Sequence, residues 1–175
     1  MGGVRILGGR AKGRRLLVPP SARPSPVRLR KALFDYLRSR FPRPGRFLDL
    51  YAGSGAIGLE AASEGWEATL VEKDPHAVRM LKANVQQTGL PARVVPVSVE
   101  RFLIEAARRG ERWDVAFMAP PYPIDLAEAF GRLLESGVIE KHGLAILQHP
   151  REVHLPFGDR RVYGKNAFTV VEMEE

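Results

Sequence analysis

The chain has 175 residues, 45% hydrophobic and 27% charged, with a formal net charge of +7, which suits one globular domain and excludes a disordered chain. It has no cysteine, which excludes disulfides and thiolate metal sites, and its four histidines show no metal-ligand spacing, so we expect no metal. No apolar run approaches the roughly 20 residues that cross a bilayer, residues 1–5 lack the apolar core of a signal peptide, and we expect a cytoplasmic protein.

The first 46 residues are strongly basic. They hold 13 of the 27 Lys and Arg but one of the 20 Asp and Glu, a charge of +12, whereas the rest of the chain carries −5. Two short apolar runs, 4–7 and 15–18, flank a glycine-rich basic turn, which predicts a β-hairpin. The charge asymmetry favours a grip on nucleic-acid phosphates, with a basic tail that has no specific partner as the alternative. The cations expected to contact phosphates are Arg5, Arg10, Lys12, Arg14, Arg15 and Arg28.

The basic hairpin and the proline-rich loop after it are predicted to form an N-terminal arm over residues 1–26. A helix is predicted over 27–40, because its apolar side chains recur with helical spacing. We assign residues 27–175 to a second unit.

From residue 46 the chain alternates between strand-like and helix-like segments. Strands are predicted at 46–51, 68–73, 93–97, 113–118 and 144–148, and helices near 56–63, 75–88, 99–109 and 125–136. This alternation predicts right-handed crossovers and a parallel sheet. Two further strands, at 160–163 and 167–172, predict a terminal hairpin around a Gly-Lys-Asn turn. The expected fold is an open α/β sheet with an antiparallel edge.

The first strand of this sheet leads into a glycine-rich loop. Its G-x-G-x-x-G pattern, which ends at Gly58, also fits a dinucleotide site. Asp49 before the loop suits the ammonium group of S-adenosylmethionine, and Gly53 and Gly55 let the backbone approach a ligand closely. Glu72, at the end of the next strand, can accept hydrogen bonds from ribose hydroxyls. S-adenosylmethionine is favoured, while a dinucleotide oxidoreductase and a turn without a ligand are the alternatives.

The fourth strand ends in a proline-rich loop, Ala119-Pro120-Pro121-Tyr122. Strand carboxyl ends line the ligand crevice of open α/β sheets, so this loop should face the reacting methyl group. The prolines stiffen the turn, backbone carbonyls can accept hydrogen bonds, and the Tyr122 ring can stack on a base. A proline-rich turn with a packing tyrosine is the alternative. His149, after the fifth strand, is expected on the surface rather than in the crevice.

Together these segments resemble the bacterial small-subunit (16S) rRNA guanine-N2 methyltransferases, a class I S-adenosylmethionine-dependent family. The resemblance spans nearly the whole chain. It is carried by ILGGRAKGRRLLVP, Arg23-Pro24-Ser25, RLRKALF, LDLYAGSG, VEKD, WDV, Pro-Pro-Tyr and the closing Tyr163-Gly164. It implies a Rossmann-like, seven-stranded, mostly parallel sheet with an antiparallel C-terminal hairpin, plus an N-terminal β-hairpin and helix. It also implies methyl transfer to the exocyclic N2 amine of a guanine.

The resemblance implies two sets of site residues. The cofactor-binding set is Asp49, Tyr51, Ala52, Gly53, Ser54, Gly55, Glu72, Lys73 and Ser98. The catalytic set is Ala119, Pro120, Pro121 and Tyr122. The family usually has Asp or Asn at position 119 and Asp at position 98, so the chain departs from it twice. A lost charged hydrogen bond is worth roughly 1.5–3 kcal/mol, or about one to two decades in rate, so we expect a slower enzyme rather than an inactive one.

Two alternatives keep the same fold. One is a non-catalytic RNA-binding or ribosome-assembly factor, suggested by Ala119 and Ser98. The other is a methyltransferase that acts on DNA or on a protein side chain, although the basic arm favours structured RNA. The expected partner is ribosomal RNA or the small ribosomal subunit, and the expected state is a monomer.

Overall fold

The computed structural model describes residues 4–20 and 25–174. An N-terminal hairpin pairs β1 (Val4–Arg5) with β2 (Arg15–Leu16). The strands of the main sheet are β3 (Arg46–Leu50), β4 (Glu67–Val71), β5 (Ala92–Val95), β6 (Trp113–Met118), β7 (Ile139–Pro150), β8 (Asp159–Tyr163) and β9 (Asn166–Glu172). The helices are α1 (Val27–Arg40), α2 (Ala56–Ser63), α3 (Pro75–Thr88), α4 (Val99–Arg108) and α5 (Leu126–Glu135).

The main sheet has seven strands in the order β5-β4-β3-β6-β7-β9-β8. The pairs from β5 to β7 are parallel, and β9 runs antiparallel to both of its neighbours. The expected seven-stranded, mostly parallel sheet and its antiparallel C-terminal hairpin are therefore confirmed. The N-terminal hairpin and the helix over 27–40 are confirmed as well.

The register of the central strands aligns their carboxyl ends. Leu50 pairs with Val71 on one side and with Met118 on the other, and Met118 pairs with Leu147. The residues that come next in these four strands therefore meet at one edge of the sheet: Tyr51, Glu72, Ala119 and Gln148. We call this edge the carboxyl edge.

Helices cover both faces of the sheet, which explains why the central strands are apolar on both sides. On one face, α1 and α2 pack on the strands, with Leu33 and Ile57 buried against Phe117 and Ile146. On the other face, α4 and α5 cover a second cluster. We call these the α1 face and the α4 face.

The helix starts follow local chemistry. Ser98 caps α4 by accepting a hydrogen bond from the backbone nitrogen of Arg101, and Asp125 caps α5 in the same way through Glu128. Pro75 opens α3, and Gly89 ends it in the left-handed region with φ 67°. These caps place the helices within one residue of the sequence-based prediction.

Strand lengths differ more from the prediction. Strand β7 begins at Ile139 rather than at 144, because Ile139 pairs with Trp113 across a register irregularity and the polar residues after it stay exposed at the sheet end. Strand β4 ends at Val71, so Glu72 and Lys73 belong to the following loop and not to the strand. Tyr51 likewise lies just outside β3.

The N-terminal hairpin packs on the body of the molecule. Its apolar side chains Val4, Ile6 and Leu16 are buried in one cluster with Leu59 of α2 and Leu81 of α3. The division at residue 26 stays a prediction, and Arg23 and Pro24 lie outside the described residues. Within the described ranges, no helix has the length and apolarity that crossing a bilayer requires.

Candidate active site

Asp49 is a buried carboxylate in the second-to-last position of β3, with 2% of its surface exposed. Its Oδ2 atom accepts a hydrogen bond of 2.9 Å from the backbone nitrogen of Gly58. Burial, together with the nearby Glu72 carboxylate, raises the pKa of Asp49 to about 7, although the Gly58 hydrogen bond acts in the lowering direction. A cationic partner would stabilise the ionised form of this buried carboxylate.

The glycine loop after β3 is held by backbone contacts. Ala52 donates to the Val71 carbonyl and Gly55 donates to the Ala52 carbonyl. Gly53 and Gly55 have φ of 57° and 84°, a region that favours glycine. Gly55 also begins α2, so the loop passes directly into a helix N-terminus. Backbone hydrogen bonds and left-handed glycines thus fix the path of the loop between β3 and α2.

Glu72 fixes the loop to the next strand end. Its Oε1 atom accepts a hydrogen bond of 2.8 Å from the nitrogen of Gly53, and its Oε2 atom accepts one of 3.1 Å from that of Asp74. Each carboxylate oxygen keeps lone-pair capacity for a further donor. Glu72 therefore shapes the loop and also remains able to bind hydroxyl groups.

The other predicted cofactor residues take varied positions. Ser54 is buried and Lys73 is exposed. Tyr51, with φ 62°, is half-buried, and burial raises its pKa to about 12. The Ser98 hydroxyl is engaged as the α4 cap, a role that an aspartate also performs. The structure thus brings Asp49, the loop and Glu72 together at the carboxyl edge, while Ser98 lies beyond β5.

These residues fit S-adenosylmethionine. In the part of the chain that the structure describes, only the Gly58 nitrogen donates to the Asp49 carboxylate. A cationic ammonium group would complete the partners of this buried charge, as charge-assisted hydrogen bonding requires. The anionic pyrophosphate of a dinucleotide would meet the carboxylates of Asp49 and Glu72 instead. The donor set therefore favours the methyl donor over a dinucleotide.

The acceptor loop follows β6 at the same edge. Ala119 is half-buried and packs against the core of the α1 face, while the Tyr122 side chain is 86% exposed. The Pro121 carbonyl accepts a hydrogen bond of 3.0 Å from the nitrogen of Ile124, which closes a turn. The exposed ring of Tyr122 is therefore available for stacking.

The comparisons with known proteins agree with this geometry. The family described as "Conserved hypothetical protein 95" matches residues 4–171. Ribosomal RNA small subunit methyltransferase D of Escherichia coli K12 is 36% identical over 160 residues, which cover 89% of this chain and 79% of the relative. The chain belongs to the ribosomal RNA small subunit methyltransferase D family. Its counterpart in Haemophilus influenzae is 32% identical over 158 residues, covering 86% and 81% of the two chains.

Solved structures extend the comparison of this family member. A hypothetical protein of Thermus thermophilus is 70% identical, with a TM-score of 0.95 over 97% of this chain and 99% of that chain. A 16S rRNA N2 methyltransferase of Thermus thermophilus, solved with AdoMet and guanosine, has a TM-score of 0.69 at 22% identity, over 89% of this chain and 45% of its own. The latter shows the shared fold.

In this family member, the six cations predicted to grip phosphates are all exposed. Arg5, Arg10 and Arg14 each donate to backbone carbonyls, which leaves their charge uncompensated. Within residues 4–20 and 25–174, none of these six cations forms an ion pair with a carboxylate, because the ion pairs there involve other basic residues. The hairpin therefore presents open positive charge.

The anchors of the hairpin were not foreseen from the sequence. Glu60 accepts hydrogen bonds from the nitrogens of Leu7 and Gly8 and pairs with Arg30 at 3.3 Å, and the side chains of Arg30 and Glu60 are both buried. The sequence offered one sign of this contact. Glu60 is the single acid in the apolar helix AIGLEAAS, and a buried acid needs a charged or hydrogen-bonding partner. Arg30 itself sits on the apolar side of α1, a second sign of a buried pair.

Asn84 is a further unforeseen residue, because it connects the hairpin to the glycine loop. Its side chain is fully buried, and it exchanges two hydrogen bonds with the backbone of Leu17, of 2.8 and 2.9 Å. The same amide donates to the Ser54 carbonyl at 2.8 Å. The hairpin and the loop thus share one polar anchor.

The expectation of a surface position for His149 is wrong. His149 is 2% exposed, with Nδ1 2.8 Å from the Pro150 carbonyl and Nε2 2.7 Å from the Thr169 hydroxyl. Burial lowers its pKa, so the neutral ring donates from Nδ1 and accepts at Nε2. His149 is buried because β7 pairs with β9, and the sequence around His149 gives no sign of this pairing.

Proposed function

We propose that the protein transfers the methyl group of S-adenosylmethionine to the exocyclic N2 amine of a guanine in small-subunit ribosomal RNA. The observation that carries the proposal is the register of β4, β3 and β6. It brings Glu72, the glycine loop and the Ala119–Tyr122 loop to adjacent positions at the carboxyl edge. The names of the curated relatives support the RNA class of the substrate.

Three elements of the chain would hold the methyl donor. Asp49 would bind its ammonium group, the loop from Tyr51 to Gly55 would contact its methionine part, and Glu72 would accept hydrogen bonds from its ribose hydroxyls. Lys73 and Ser98 lie farther along the same side, toward the place of the adenine ring. When bound, S-adenosylmethionine supplies a methyl group that its sulfonium already activates.

The acceptor side needs mainly to position the nucleophile. S-adenosylmethionine would supply the methyl group, and the residues of the acceptor loop would hold the guanine amine, which would accept that group and release one proton to water. Carbonyls at Ala119 and Pro120 would orient the amine by accepting its hydrogen bonds. Tyr122 would stack against the extruded base, while Pro121 keeps the loop in its turn.

The hairpin would hold the RNA. Its exposed cations lie beside α3 and reach the Gln87 and Gly89 carbonyls at the end of that helix. Arg28 projects from the first turn of α1. Phosphate contacts at these positions would bind RNA largely without regard to sequence. We further propose a cytoplasmic monomer, for which size-exclusion chromatography is the test of oligomeric state.

The test is methyl transfer from labelled S-adenosylmethionine to small ribosomal subunits from cells that lack this enzyme. Wild-type protein should label one guanine, and Asp49→Ala protein should label none at the same cofactor concentration. Binding of cofactor and subunit without any transfer would instead favour a non-catalytic assembly factor. Label that moves to DNA in a competition at matched salt would overturn the RNA assignment.

A further inference from the structure

The side chain at position 119 is a methyl group that accepts no hydrogen bond, although a guanine amine offers two N–H donors. We propose that the side-chain amide of Gln148, held in place by Ser25, accepts one of the hydrogen bonds of the target amine beside Ala119. This inference rests on the proposed function and names a further residue of the same site.

The register brings Gln148 next to the acceptor loop. Met118 of β6 pairs with Leu147 of β7, so Ala119 and Gln148 are the next residues on two adjacent parallel strands. Neighbouring strands lie about 4.8 Å apart. Gln148 is therefore the polar side chain that β7 places beside Ala119, whereas Tyr51, which follows β3 on the other side, packs against the α4-face cluster.

The two residues also share a face of the sheet. Phe117 and Ile146 both pack in the α1-face cluster, and Ala119 packs against the same cluster. Side chains alternate along a strand, so Ala119 and Gln148 fall on the side of Phe117 and Ile146. The Ala119 side chain is a single methyl group, and the longer, polar Gln148 side chain lies on the same face of the sheet.

Ser25 fixes the amide of Gln148. The Ser25 hydroxyl is 2.6 Å from Oε1 of Gln148, and Ser25 is 8% exposed while Gln148 is half-buried. Ser25 stands two residues before the start of α1, so the helix holds it in place. An amide carbonyl has two lone pairs, and the serine uses one. The other lone pair of Oε1 can accept from the target amine.

The other polar groups near this edge are either engaged or more distant. His149 is occupied by Pro150 and Thr169, and Glu72 follows β4, which lies two strands away from β6. A neutral amide suits this position, because it accepts a hydrogen bond without the desolvation cost of a buried carboxylate. Gln148 is thus the side-chain acceptor that the structure provides where the Ala119 side chain provides none.

The experiment compares methyl transfer to small ribosomal subunits by wild-type, Gln148→Met and Ser25→Ala proteins. Methionine keeps the length of the side chain but cannot accept a comparable hydrogen bond. We expect kcat to fall about 10- to 100-fold for Gln148→Met, with the dissociation constant of S-adenosylmethionine unchanged. Ser25→Ala should lower kcat about 3- to 10-fold, and Ser25→Thr should retain the wild-type rate, because serine acts only by positioning the amide.

Two further variants serve as controls. Gln86 is an exposed glutamine of α3, so a Gln86→Met protein should transfer methyl groups at the wild-type rate. Ala119→Asn, added to Gln148→Met, should restore kcat, because it supplies a new acceptor from the adjacent strand.

Three outcomes would overturn the inference. A Gln148→Met protein with the wild-type rate would remove the role of Gln148. A slow variant that has also lost cofactor affinity or thermal stability would show a structural role, as would a slow variant that Ala119→Asn does not rescue. If wild-type protein itself transfers no methyl group, the proposed function fails instead, which separates the two claims.

Discussion

The Oδ2 atom of Asp49 lies 2.9 Å from the backbone nitrogen of Gly58, so the carboxylate under the glycine loop is tied to the first turn of α2. Burial raises the pKa of this carboxyl to about 7, well above its value in an unfolded chain. At neutral pH the free protein therefore holds Asp49 near half-ionisation, and a cationic ligand should shift it to the charged form.

Cofactor affinity should consequently depend on pH. Binding of the ammonium group favours ionised Asp49, so the dissociation constant of S-adenosylmethionine should fall as pH rises from 5.5 toward about 7, with release of a proton. Calorimetry in two buffers of different ionisation enthalpy measures that proton. Asp49→Asn should bind more weakly and without this pH dependence, and an equal pH dependence in the variant would contradict the assignment.

The stability of the free protein should fall as pH rises, whereas its affinity for the cofactor should rise. Between about pH 4 and pH 7, folded protein keeps a proton on Asp49 that the unfolded chain releases. The free energy of unfolding should therefore fall as pH rises through this window. Urea unfolding at several pH values tests this, and the Asp49→Asn protein should show a smaller fall than the wild type.

Close packing at Gly58 predicts that even alanine is too large there. A Cβ atom at Gly58 would lie 2.6 Å from Cδ2 of Leu70 and 2.9 Å from Oδ2 of Asp49. Gly58→Ala should lower the free energy of unfolding by about 1–3 kcal/mol and weaken cofactor binding.

Gly131 in α5 is the matched control for this substitution. A Cβ atom there meets nothing within 4 Å, and the position is helical, so Gly131→Ala should stabilise the protein by up to about 1 kcal/mol. Equal effects of the two substitutions in urea unfolding would rule out the steric explanation.

The buried pair of Arg30 and Glu60 should anchor the hairpin. Glu60→Ala leaves Arg30 and the nitrogens of Leu7 and Gly8 without this partner, which should cost about 3–5 kcal/mol of unfolding free energy. Glu67→Ala is the control, because Glu67 is 74% exposed and its pair with Arg46 should contribute less than about 1 kcal/mol. Denaturant unfolding compares the two, and similar losses would argue against the anchoring role.

Charge on the hairpin should determine the salt dependence of RNA binding. Replacing Arg10, Lys12 and Arg14 with glutamine should weaken binding to the small subunit and reduce the slope of log affinity against log salt by about 2–3. A control with equal loss of charge replaces Arg108, Arg112 and Lys141, which are exposed near the amino-terminal ends of β6 and β7. Filter binding at several salt concentrations distinguishes them, and equal slopes would remove the hairpin from the RNA interface.

Much of this fold follows from patterns along the chain. The apolar segment 113–118 and the amphipathic segment 75–88 have the lengths and boundaries of β6 and α3, because buried strands and capped helices leave local signals. The extension of β7 back to Ile139 leaves no such signal, since a polar stretch is recruited by pairing with Trp113. Local patterns predict elements well where burial is regular along the segment.

The site was predictable where it depends on consecutive residues. Asp49 lies near the end of β3, the glycine loop and Glu72 follow strand ends, and parallel pairing brings strand ends together. Asn84, Gln148 and Ser25 were not predictable, because their importance comes from contacts between residues far apart in the chain. The same applies to His149, whose burial depends on β9.

The most direct test of the account is to identify the methylated nucleoside. Small ribosomal subunits from cells that lack the enzyme are incubated with the purified protein and S-adenosylmethionine, and the RNA is digested and analysed by mass spectrometry. The account predicts N2-methylguanosine, near one equivalent per subunit, with wild-type protein and none with Asp49→Ala. Methylation at another position of the base, or on ribosomal protein instead of RNA, would contradict it.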